Sequence, residues 1–68
     1  MSRLPRLTAK QAVLLIQKYG FVFMRQTGSH AIYRHKSGIR ITIPIHVNKS
    51  LHPKIVKSML DDIKKTND

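Results

Sequence analysis

Histidine is the side chain whose unperturbed pKa lies closest to neutral pH, and this chain carries four: His30, His35, His46 and His52. Other side chains suited to catalysis are scarce. There is no cysteine, so neither a thiolate nucleophile nor a thiolate zinc site is available. The acidic residues are Asp61, Asp62 and Asp68. Magnesium-dependent nucleases hold their metal with carboxylates, and adjacent Asp61 and Asp62 point in different directions on a helix. No glycine-rich stretch resembles a phosphate-cradling loop. The histidines lack the i, i+4 helical spacing of a metal pair, so no metal or organic cofactor is expected. What remains is a metal-independent histidine catalyst acting on a polyanion. RNA suits it, because the 2′-hydroxyl is a built-in nucleophile whose proton a histidine can take, or whose leaving oxygen it can protonate. Arginine and lysine can meet the charge that develops on phosphorus. DNA lacks that internal nucleophile.

Charge gives the same indication. The formal net charge is +10. Of thirteen Lys and Arg, Lys64 and Lys65 lie beyond residue 60, so residues 1–60 hold eleven cations and no side-chain carboxylate. Such a chain repels itself and attracts polyanions, nucleic acid first among them. The cations are too dispersed for a membrane-surface helix. The absence of cysteine fits a reducing compartment. No apolar run approaches a signal peptide or membrane span, so a cytoplasmic protein is expected.

These groups need a scaffold, and 68 residues suffice for one small domain with a marginal core. Residues 1–7 read as a basic lead-in and 66–68 as a tail. Thr8-Ala9-Lys10-Gln11 fits a capping box, predicting a helix from Ala9 to Tyr19 with Ala12, Leu15, Ile16 and Tyr19 as its apolar stripe. Gly20 supplies a left-handed stop. Phe21 to Gln26 reads as a strand, broken by Thr27-Gly28-Ser29; His30 to His35 reads as a second. Lys36-Ser37-Gly38 forms a hairpin turn, and Ile39 to Ile43 a third strand that Pro44 ends or places at an edge. A polar connection over 45–51 leads to a helix from Pro53 to Lys65, with Val56, Met59, Leu60 and Ile63 facing inward. Tyr19, Phe21 and Phe23 are expected in the core. The fold class is α+β: helix-strand-strand-strand-helix, with two helices on one face of a three-stranded antiparallel sheet and the other face open. Alternation puts His30, Ile32 and Arg34 on the open face with Arg40 and Thr42. His35 and His52, beside a turn and a proline, are taken as ordinary polar positions.

The order Gly20-Phe21, Gly28-Ser29-His30 with Tyr33, Ile43-Pro44-Ile45-His46, and Leu51 before a helix carrying Met59-Leu60 resembles the HicA toxins of bacterial and archaeal toxin–antitoxin systems. The resemblance runs from about Thr8 to Ile63. The chain departs from it at Lys54-Ile55, where the family often has Gly-Thr, and at Tyr19. What the resemblance implies is a double-stranded-RNA-binding-domain-like fold and an mRNA interferase, acting on mRNA independently of translation and neutralised by a HicB antitoxin. It singles out His30 as the catalytic histidine, with Gly28 and Ser29 shaping the turn that presents it. Pro44 and His46 are implied as a site wall or binding element. Arg25, Arg34, Lys36 and Arg40 are the candidates for phosphate contact. His46, Tyr33 or a water would take the second proton-transfer role. The rival from another class is a non-catalytic double-stranded-RNA-binding module, which needs no particular histidine. A third is a subunit whose basic face meets an acidic partner.

Overall fold

The computed structural model describes residues 6–46 and 49–66. Most of the expected basic lead-in, the tail beyond Thr66 and two positions of the polar connection lie outside the described residues. Helix α1 spans Ala9–Lys18 and starts on the capping box: the Gln11 N–H donates to Thr8 Oγ1 at 3.2 Å, and the Thr8 N–H donates to Gln11 Oε1 at 3.0 Å. Ala9, Ala12 and Ile16 are its buried face. The helix stops one residue before the expected end. Tyr19 is the C-cap, and Gly20 follows at φ +93°. The backbone there favours glycine, and a β-carbon would crowd the His35 ring at 3.3 Å.

Three strands follow as a meander: β1 (Val22–Thr27), β2 (His30–Arg34) and β3 (Arg40–Pro44), with β2 in the centre. Both pairings are antiparallel. Side chains alternate across β2 and β3. Ala31, Tyr33, Ile41 and Ile43 are buried beneath the helices, while His30, Arg34, Arg40 and Thr42 are exposed. Ile32 is half-buried on the open face. Two-residue turns suit antiparallel neighbours when one residue takes positive φ; Gly28 does so at +58° in the β1–β2 hairpin. The β2–β3 turn is tied by His35. The Ser37 N–H donates to its Nδ1 at 3.0 Å, and its ring packs against Phe21 with centroids 5.2 Å apart.

Helix α2 (Pro53–Lys65) buries Val56, Met59 and Ile63. Its N-cap is His52, whose Nδ1 accepts from the Lys54 N–H at 3.0 Å. Pro53 occupies the first turn, where the missing N–H costs nothing. At the other end Lys64 and Lys65 suit the dipole. Asp61 and Asp62 pair with Lys57 (3.6 Å) and Lys65 (3.7 Å) across single turns. Such exposed pairs contribute little. The two helix starts are joined: the Leu51 N–H donates to Leu7 O at 2.7 Å, beside a Thr8–Ser50 bridge. Among the described residues no helix is long and apolar enough to cross a membrane.

Two expected core residues are not core. Tyr19 is 46% exposed, because the C-cap backbone leaves helical geometry and carries the ring off the apolar stripe. Phe23 is 49% exposed. It shares the helix side of the sheet with Tyr33, edge to face at 5.6 Å, but β1 is an edge strand and no element among the described residues covers its margin. The strand also carries a bulge between Phe23 and Arg25, which explains why its sequence alternates poorly.

Two substitutions test this account by thermal or urea melts. Gly20→Ala should cost about 1–2 kcal/mol from backbone strain, with the His35 contact adding to it. His52→Asp should stabilise by roughly 0.5–1 kcal/mol, since aspartate is a preferred N-cap and complements the helix dipole. A melt unchanged by either would contradict the local geometry described.

Candidate active site and nucleic-acid interface

The open face of the sheet is built of three cross-strand rows, because residues opposite one another in an antiparallel ladder point the same way. The first is Thr27, His30 and Pro44; the second Arg25, Ile32 and Thr42; the third Val22, Arg34 and Arg40. His30 is the first residue of β2, exposed, at one end of the sheet. Its position follows from the Gly28-Ser29 turn, which is held on both sides. The Gln26 side-chain amide donates to Gly28 O at 3.0 Å. The Ile45 N–H donates to Ser29 O at 2.6 Å. That second bond joins the turn to the Pro44-Ile45-His46 segment. The two motifs are thereby neighbours, and exposed His46 lies just beyond His30's cross-strand partner Pro44.

The candidate phosphate contacts divide. Arg25 is on the second row, a diagonal neighbour of His30; such positions lie about 7–8 Å apart at the backbone, within reach of a long side chain. Arg34 and Arg40 face each other on the far row. Lys36 is beyond them in the hairpin turn, with Lys18, Tyr19 and Arg34 around a second hollow. Tyr33 does not join His30. It is buried on the helix side, one position out of phase, and is withdrawn as a candidate for the second proton transfer. His35 and His52 are engaged in a turn and a cap respectively, away from His30.

Among the described residues, no group of three or more His, Asp or Glu could hold a metal ion. The described carboxylate side chains, Asp61 and Asp62, belong to α2 in the helical layer. The arrangement offers one exposed imidazole on a fixed turn, a second histidine on the adjoining segment and a guanidinium one row away. These parts suit proton transfer at an anionic centre. The opposition of Arg34 and Arg40 was not anticipated from sequence. It needs the β2–β3 register, which the hairpin length between His35 and Ile39 could have supplied.

No curated protein sequence matches the chain. The family described as HicA toxin of bacterial toxin-antitoxin matches residues 9–65, from the first residue of α1 to the last of α2. That span contains every element of the fold and all four histidines, and the order of elements agrees with the double-stranded-RNA-binding-domain-like architecture that the motifs imply. The chain therefore belongs to the HicA toxin family of bacterial toxin–antitoxin systems.

Proposed function

We propose that this toxin is an endoribonuclease that cleaves mRNA by metal-independent acid–base catalysis at His30. The observation that carries the proposal is an exposed histidine on a turn tied from both sides, on a sheet face with arginines and no described carboxylate. The RNA 2′-oxygen attacks the adjacent phosphorus, and the bond to the 5′-oxygen breaks. A 2′,3′-cyclic phosphate and a 5′-hydroxyl result. His30 takes the 2′-hydroxyl proton or delivers one to the leaving 5′-oxygen. His46 is the candidate for the complementary transfer, because the Ile45–Ser29 bond holds its segment against the His30 turn. Arg25, one row from His30, is the candidate for meeting the charge on the phosphorane.

Family membership supports a partner as well. An acidic, HicB-like antitoxin covering the open face would remove His30 from RNA and neutralise the unbalanced cations. The same architecture serves non-catalytic double-stranded-RNA-binding modules, which recognise shape and phosphates. The two differ in what His30 does.

Purified protein in EDTA is expected to cut RNA. His30→Ala should lower cleavage by roughly 10²–10⁴-fold while leaving the melt and RNA binding nearly unchanged. RNA left intact by the unmodified protein would assign the chain to the binding-module class, and a variant that cuts at the original rate would remove His30 from the reaction.

A further inference from the structure

Arg34 and Arg40 are direct cross-strand partners, and like charges so placed destabilise a sheet. Among the described residues neither is in an ion pair, nor is Arg25. Asp62 borders a hollow beside Arg40 at the β3 edge, but its carboxylate pairs with Lys65 at 3.7 Å. The three guanidinium-bearing residues, with Met24, Ile32 and Gly38, line a depression of about 370 Å³ on the open face. Gly38 leaves room on its rim, since it has no side chain and nothing lies within 4 Å of where its β-carbon would be. An arginine pair facing each other over a hollow, with a third beside it, is a geometry that an anion relieves. Phosphate oxygens take guanidinium bonds bidentately.

We infer that this hollow is a phosphate-binding site distinct from the one at His30, and that it sets the register of the RNA. The inference rests on the ribonuclease reading for its ligand. Arg34 lies four residues from His30 along β2, a separation of roughly 13 Å. That is further than one phosphodiester step. Arg34 and Arg40 therefore hold a backbone phosphate remote from the scissile one that Arg25 meets, and the half-buried Ile32 lies under the nucleotide between them. The RNA lies along β2 as an extended strand, and Arg34 and Arg40 are binding residues whose loss weakens affinity. A dinucleotide, with one phosphodiester, reaches one end of the face; a hexamer reaches both.

The test uses the full chain and 2′-O-methyl RNA, which is not cleaved, so its outcome does not depend on catalysis by His30. Two-nucleotide and six-nucleotide probes are titrated at fixed low salt into the unmodified protein, Arg34→Gln, Arg40→Gln and a charge control, Lys64→Gln, on α2. Each arginine variant should bind the hexamer about tenfold more weakly, as for the loss of one charged hydrogen bond, and the dinucleotide within twofold of the unmodified protein. The control should change neither by more than twofold. Equal losses in the arginine and Lys64 variants would overturn the site in favour of diffuse charge. Equal losses for both probe lengths would place the arginines at the scissile phosphate instead. In chloride the Arg34→Gln melt should not fall, since the substitution removes a repulsion; a fall with unchanged hexamer binding would also overturn the proposal. A parallel melt in inorganic phosphate, at matched ionic strength, separates the sources. A rise in Tm that Arg34→Gln loses, alongside the length-dependent loss, means that the hollow also takes free phosphate. No rise, with the length-dependent loss intact, assigns it to the RNA backbone alone. A rise without that loss rejects RNA as the ligand.

Discussion

Burial on one side of β2 and β3 is the constraint from which the rest of the molecule follows. Ala31, Tyr33, Ile41 and Ile43 go beneath the two helices, with Ile43 fully buried. The side-chain period of a strand is two, so every residue between them is delivered to the opposite face. His30, Arg34, Arg40 and Thr42 are outside because their neighbours are inside. A one-residue slip would send Tyr33 into water and arginine into the core, a cost that a domain of this size could not meet. Functional placement and folding are thus decided by the same register. The helices enforce it with few residues: Ala12 and Ile16 from α1, Val56, Met59 and Ile63 from α2.

The open face has the opposite economy. Among the described residues no third layer covers it, and apolar residues there would make a patch prone to association. Cations keep the face wet, but without nearby carboxylates they repel one another. The described ion pairs are within α2 and do nothing for the sheet. Binding of a polyanion or an acidic protein would stabilise the folded state by mass action as well as occupy the face. Stability and recognition are coupled for this reason.

Much of the fold was legible because its signals are local. The capping box at Thr8 and Gln11, Pro53 in a first turn, Gly38 at φ +98° and the alternation of Ile41 and Ile43 each depend on a few neighbouring residues. The facing of His30 was only partly legible: alternation groups it with Ile32 and Arg34, and the greater polarity of that set favours the open face, where His30 is exposed. Tyr19 and Phe23 were misjudged because hydrophobicity reports a preference for burial, whereas the outcome at a C-cap or an edge strand depends on whether another element arrives. The bulge at Met24 left its trace only as a broken pattern. At the candidate site, the chemistry of the residues was readable, but their grouping was not. The Ile45–Ser29 bond, the Arg34–Arg40 opposition and the structural engagements of His35 and His52 are long-range or side-chain geometry. Composition and periodicity carry no information on these.

The bond from Leu51 to Leu7 has a consequence for the time course of folding. The hairpins of the meander close over short loops, but the two helix starts meet only after the whole sheet has been spanned. Closing so long a loop is slow relative to hairpin formation. During synthesis α1 precedes the sheet and α2 follows it, so the nascent meander has only part of its apolar side covered until residues 53–65 leave the ribosome. The meander without that helix is the species most exposed to aggregation.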